Sequence, residues 1–234
     1  TYTLVEDFKN MEFFNESSFH FKGLDLLNSS EIFISDYSIR FQNFFNMKIE
    51  DIYEKERTID DLISKQPLQN EKNNSNDRDV NEFSDEVVGQ KILSYAIGCM
   101  MGRYSLDEPG LIYAHAGNQD FDASRYQKFP ADADGIIPLT EMHRPEGDTF
   151  HRIQEFLTAV WGKDTLDTNM QWLAESLDKK ASETAEDTIR RYLASKFYKD
   201  HMQTYKKRPI YWLFSSGKQG AFQALVYLHR YNES

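Results

Sequence analysis

The chain has 234 residues, 40% of them hydrophobic, enough apolar material for a sizeable core in one large domain or two small ones. Its single cysteine, Cys99, excludes an internal disulfide and makes a reducing, cytoplasmic compartment the expectation. No stretch reaches the roughly 20 apolar residues of a bilayer-spanning helix, no basic-then-apolar signal stands at the start, and the net charge of −11 hides a basic end on an acidic body.

Residues 1–27 are rich in aromatics, with Phe8, Phe13, Phe14, Phe19 and Phe21 among polar residues, and read as short pieces that dock onto a body. Ser29 or Ser30 is placed to cap a helix through about Asn46, carrying Ile32, Ile39, Phe44 and Phe45. A second helical stretch, Ile49 to Ser64, carries Ile52, Ile59, Leu62 and Ile63. Pro67 ends that pattern. Residues 70–79 then contain no apolar side chain and have nothing to offset the entropy of ordering, so about 68–83 reads as a flexible polar loop. This divides the chain into an N-terminal segment (1–67), the loop (68–83) and a helical domain with a C-terminal hairpin (84–234). The chain opens on Thr1 and not on methionine, which reads as a piece of a longer protein.

Ser84 opens a helix predicted to run to about Tyr104, with an apolar face of Val87, Val88, Ile92, Leu93, Ala96, Ile97 and Met100. Cys99 lies in that run and reads as a buried, inert thiol. The small residues Ser94, Ala96 and Gly98 leave room for another helix to approach. A turn at Asp107–Gly110 precedes a strand-like run, Leu111–Tyr113. Residues 114–148 read as a long ordered loop with one more extended run, Ile136–Leu139. Helices resume at Asp148 to Trp161, stopped by Gly162, and at Thr165 to about Leu177. A third begins at Ser182 or Thr184 and continues to about Tyr205, with Ile189, Tyr192, Leu193 and Phe197 on one buried face. The fold class is α+β, predominantly helical: a helical body with short strands and a C-terminal β-hairpin.

Two loops imitate ligand sites. Ser215–Gly220 has the look of a phosphate-binding loop. Yet Trp212 stands where its first glycine belongs, and Gln219 replaces the magnesium-binding hydroxyl. The flanking runs Ile210–Phe214 and Ala221–His229 alternate as strands, so the segment reads as a hairpin turn. Pro130–Glu141 matches an EF-hand loop at several positions, but Pro130 replaces the first carboxylate, and Asp132–Gly135 reads as a turn. The histidines His20, His115, His143, His151, His201 and His229 show no zinc spacing, and no catalytic constellation emerges, so no metal and no catalytic residue is assigned.

From Thr188 to Ser234 there are nine Lys/Arg against two Asp/Glu, while the rest holds 18 basic and 36 acidic residues. Such asymmetry marks a polyanion contact, or alternatively a solvated helix face beside a basic turn.

The segments SYAIGCMMGRYSLDEPG (Ser94–Gly110), DGIIP (Asp134–Pro138), KRPIYWLFSSG (Lys207–Gly217) and ALVYLHRY (Ala224–Tyr231), in that order, resemble the C-terminal region of the PglX-type adenine-specific DNA methyltransferases of BREX phage-defence systems. Related stretches occur in large restriction-modification enzymes. The resemblance covers about residues 84–231 well and the first 66 loosely. It implies a parent that transfers a methyl group from S-adenosylmethionine to an adenine amine in double-stranded DNA. That parent carries a glycine-bearing cofactor motif and an Asn-Pro-Pro-Tyr motif, and neither occurs in this sequence. The resemblance therefore implies a non-catalytic scaffold and DNA-recognition region, with no cofactor of its own. Its candidate DNA-phosphate contacts are Arg190, Arg191, Lys196, Lys199, Lys206, Lys207, Arg208 and Lys218, which would position DNA without reading its sequence. The alternative is a module that docks other defence-system proteins without touching DNA.

Overall fold

The structure is a computed structural model that describes residues 33–64, 84–139, 148–217 and 222–231. The aromatic segment 1–27, the caps Ser29 and Ser30, the whole polar stretch 68–83, and residues 218–221 lie outside the described residues. The described residues form six α-helices and a three-stranded antiparallel sheet, an α+β fold dominated by helix. None of these helices is long and apolar enough to cross a membrane.

Helix α1 spans Ile34–Ser64 as one 31-residue helix. Two helices were expected there. Neither Pro nor Gly occurs between Ile34 and Ser64, so nothing in the backbone forces a break. The buried stripe is Ile34, Tyr37, Phe41 and Phe45, a three-then-four spacing that keeps one side toward the core. Ile39, expected on that face, is exposed, and Phe44 is half-buried. The start of α1 is tied to the body at two points. The Ile34 amide donates to Asn169 Oδ1 (2.9 Å), and the Ser38 hydroxyl donates to Asp85 Oδ1 (2.6 Å).

Helix α2 spans Asp85–Met100, with Ser84 as its N-cap. It is the most buried helix of the body, and Cys99 is buried in it. It stops four residues earlier than expected. Gly102 turns left-handed (φ 76°), and the Arg103 amide returns to the Gly98 carbonyl (2.9 Å). The helix-to-helix close approach occurs at Gly89, where an added Cβ would lie 2.3 Å from Ser176 Oγ. At Gly98 the space is taken by the Tyr104 ring instead, 2.4 Å from an added Cβ. The run Leu111–Tyr113 joins no sheet, because the Ile112 amide is committed to the Arg103 carbonyl (2.9 Å).

Helix α3 (Thr149–Trp161) is capped by Asp148 and ended by Gly162, and α4 (Leu166–Ser176) follows a short 3₁₀ turn. Helix α4 lies in the middle, touching α1, α2, α3 and α5. Helix α5 (Ala185–Ser195) starts with a reciprocal capping box between Thr184 and Asp187. The expected continuous helix to Tyr205 is divided at Lys196, giving α6 (Phe197–Thr204). The Ser195 hydroxyl donates back to the Arg191 carbonyl (2.6 Å), a back-bond that bends helices at this spacing. Ile189, Tyr192, Leu193 and Phe197 are all buried, as their spacing requires.

Strands β1 (Ile136–Leu139), β2 (Tyr211–Ser215) and β3 (Gln223–Tyr227) form a sheet in the order β1-β3-β2. Helices α3 and α5 contact β1. Register puts Ile137, Leu213 and Leu225 on the core side and Ile136, Trp212 and Val226 on the other. Central β3 is buried along Ala224–Tyr227, while edge strand β2 alternates, with Trp212 and Phe214 exposed. Arg230, fully buried after β3, fastens the long loop. Its guanidinium donates to Asn118 Oδ1 (3.1 Å) and to the carbonyls of Asp132 (2.5 Å) and Ala133 (2.7 Å).

Candidate nucleic-acid interface

The basic residues singled out from the sequence divide by position. Arg190, on the inner side of α5, is 3% exposed. It is held by Asp148 (2.6 Å) and Glu186 (2.7 Å), and its guanidinium lies over the Phe150 ring. Its charge is neutralised inside the fold, so it is removed from the phosphate-contact set. Arg191 is also engaged. Its Nε and Nη2 take both oxygens of Glu183 in a fork (2.8 and 2.9 Å), and Nη2 reaches the Asp178 carbonyl (2.9 Å). That guanidinium, hydrogen-bonded to Glu183, is the main reason the carboxyl is held down to about 2.

The remaining described candidates behave differently. Lys196, at the α5–α6 break, and Lys199, on α6, are exposed. Lys206, Lys207 and Arg208 are exposed in the turn from α6 into β2. Lys206 and Lys207 adopt left-handed backbone (φ 49° and 62°), stabilised by amide bonds to the Gln203 (3.1 Å) and Met202 (2.7 Å) carbonyls. The turn is anchored from below by His201. Its Nε2 accepts the amides of Ile210 (3.2 Å) and Tyr211 (3.3 Å), which fixes where β2 leaves the basic run. Burial pushes this imidazole down to about 4, and the Arg103 charge adds to the shift, so the ring is neutral at pH 7. Among the described residues, none of these five cations forms an ion pair. Lys218 lies outside the described residues.

The two imitation loops are structural. Ser215–Gly217 ends β2 of an antiparallel hairpin, closed by Ser216 and Phe222. Asp132 and Asp134 spend their carboxylates on the amides of Asp134, Gly135 and Ile136, which makes a turn into β1. Among the described residues, no cluster of three metal-binding side chains is present.

One cation escaped the sequence reading. Arg103 lies behind the same turn, its guanidinium 5.9 Å from the centre of the Tyr205 ring. No spacing rule could have found it, because beyond the adjacent Tyr104 its tyrosine neighbours, Tyr205 and Tyr227, lie more than 100 positions away.

No family model matches the chain. Over 169 residues it is 50% identical to the adenine-specific methyltransferase BrxX of Escherichia coli O9:H4 (strain HS), an alignment covering 68% of this chain and 14% of that protein. Over 145 residues it is 46% identical to the adenine-specific methyltransferase PglX of Lacticaseibacillus casei (strain Zhang), covering 61% of this chain and 12% of that protein. The chain is a homologue of the BREX-type PglX and BrxX methyltransferases. It spans about one-eighth of the length of these curated relatives. The PglX-type resemblance stands on 46–50% identity over 61–68% of the chain.

Proposed function

We propose that this chain is a non-catalytic scaffold and DNA-recognition region of an adenine-specific DNA methyltransferase acting in BREX phage defence. The observation that carries the proposal is the set of exposed cations Lys196, Lys199, Lys206, Lys207 and Arg208. They are clustered between α5 and β2 in a chain whose net charge is −11, and they have no internal carboxylate partners among the described residues. In a homologue of DNA-modifying enzymes, such cations serve as phosphate contacts that fix register and orientation on a duplex. The parent enzyme would take its methyl group from S-adenosylmethionine. Among the described residues, the cavity between α2, α5 and α6, lined by Gln90, Ser94, Tyr192 and His201, is about 150 Å³, below the roughly 300–1,000 Å³ of small-molecule sites. No step of transfer is assigned to this chain.

A gel-shift titration on duplex DNA at several salt concentrations tests the proposal. Binding is expected to weaken linearly in log–log form with salt, and to weaken further, without regard to sequence, when the five cations are changed to glutamine. If the neutralised variant binds as the unaltered chain does, the phosphate-contact role fails.

A second reading, the docking of another defence-system protein, is favoured by the outer side of the sheet. Ile136, Trp212, Phe214 and Phe222 are exposed there, 40–54% each. Changing Trp212 and Phe214 to serine would then abolish co-purification with a partner subunit and leave DNA binding unaltered.

A further inference from the structure

Arg190, Arg230 and Arg103 are each withdrawn from water to some extent, and their charges are met in three ways. Arg190 has two carboxylates. Arg230 has three oxygen acceptors, two of them backbone carbonyls. Arg103, half-buried, has among the described residues no carboxylate and no carbonyl, only tyrosine hydroxyls. Its Nε donates to Tyr104 Oη (3.0 Å) and its Nη1 to Tyr227 Oη (3.3 Å). These are two of the five N–H groups that a guanidinium carries. The Tyr104 and Tyr205 rings lie 5.3 and 5.9 Å from Cζ. Among the described residues it forms no ion pair.

A guanidinium withdrawn from water costs several kcal/mol unless an opposite charge meets it, and ring faces return only part of that. Among the described residues, the groups that act on it are tyrosines and positive or neutral imidazoles. His201 and His229 both feel the Arg103 charge, and Tyr205 is followed directly by Lys206, Lys207 and Arg208. The tyrosines fix the plane of the fork. The Tyr227 hydroxyl, which accepts from Arg103, donates onward to the Tyr113 carbonyl (2.7 Å) and is itself locked. A planar, pre-oriented fork without a carboxylate, beside a basic turn, is the arrangement that takes a tetrahedral oxyanion in bidentate fashion.

We propose that Arg103 is an oxyanion site for one phosphate group, supplied by the DNA backbone when the duplex lies along the Lys206–Arg208 turn. The assignment of the source rests on the DNA-binding reading above; the oxyanion chemistry does not. Arg103 is the fixed contact of the interface, and the lysines around it are its adaptable ones.

The test uses the 234-residue chain with Arg103→Met, Arg103→Lys, and a triple change of Lys206, Lys207 and Arg208 to glutamine. Two probes are read: a DNA duplex by fluorescence anisotropy against salt, and inorganic phosphate by thermal shift. Arg103→Met is expected to weaken DNA binding about tenfold and to lower the salt slope by about one. It should also abolish the rise in Tm with phosphate, yet leave the Tm of the free chain unchanged or higher, an outcome that a purely structural role would not give. DNA binding weakened by the triple change but unaltered in Arg103→Met overturns the site and leaves the DNA-binding reading standing. No DNA binding by the unaltered chain, with a phosphate-induced Tm rise that vanishes in Arg103→Met, overturns the DNA source and supports a free-phosphate site. If Arg103→Met does not fold, Arg103→Lys decides. A smaller phosphate-induced shift supports the fork, and an undiminished one overturns it.

Discussion

Arg190 and Arg103 sit in the same fold and show opposite treatments of a withdrawn charge. At the helical end, Arg190 joins Asp148 at the start of α3 to Glu186 on its own helix, and two carboxylates answer the charge from within. At the junction of α2, α6 and β3, Arg103 is supported by tyrosines and left without a counter-ion among the described residues. The first arrangement ties elements together. The second meets its charge with tyrosine hydroxyls and ring faces alone among the described residues. The difference shows that a sequence rich in arginine near its end does not declare which arginines bind. Burial and partners decide that, and they are tertiary properties.

The largest expected effect breaks the comparison at its strong side. Arg190→Ala strands the carboxylate of Asp148, itself 1% exposed, in the interior. Breaking such a buried pair costs about 3–5 kcal/mol, read as a lowered midpoint in urea unfolding. If the loss is below about 1 kcal/mol, Arg190 is not the tie that its geometry describes, and the contrast with Arg103 dissolves.

The sequence carried the elements well and the connections between them poorly. The caps Ser84, Asp148, Thr184 and Gly162 mark real helix ends because capping is local chemistry. The extended run Ile136–Leu139 is a strand at those bounds, and the runs on either side of Ser215–Gly217 form the expected hairpin. The break at Lys196 was hidden, since Ser195 is an ordinary helix-surface residue until its hydroxyl turns back on Arg191. Of the basic residues, the exposed set around Lys206 was legible as a charge run. The burial of Arg190 was not, because its partner Asp148 lies 42 residues earlier and its α5 face is set by packing. Arg103 was invisible for the same reason: Tyr205 and Tyr227 reach it only once the chain is folded.

A smaller effect sharpens the comparison through pH. His201 anchors the basic turn, is buried to 3% exposure, and has its pKa pushed from an ordinary 6.5 to about 4 by burial and then by the Arg103 charge. The unfolded chain therefore takes up a proton at this ring before the folded one does. Its contribution is full above about pH 6.5 and is lost as pH falls toward 4, on the order of 2–3 kcal/mol across the window. Protonation would also cost Nε2 the amides of Ile210 and Tyr211. Urea midpoints between pH 7 and 4.5 would show the fall, and a His201→Gln variant should flatten it. An equally steep fall in that variant would assign the slope to other groups.

The smallest effect concerns the floor of the Arg103 site. At Gly98, a methyl group would meet the Tyr104 ring at 2.4 Å, and that ring's hydroxyl accepts the Arg103 Nε. At Gly89, the obstruction is the Ser176 hydroxyl, the end of a short side chain. Gly98→Ala is expected to cost about 1–3 kcal/mol by overpacking, and Gly89→Ala less. The two differ more in function than in stability. Gly98→Ala displaces the ring that orients the guanidinium and should reduce the phosphate-induced Tm shift, while Gly89→Ala, on the α4 side of α2, should leave it intact. Equal phosphate responses in the two variants would mean that the tyrosine floor does not orient Arg103, and that its charge alone, without a fixed fork, meets the anion.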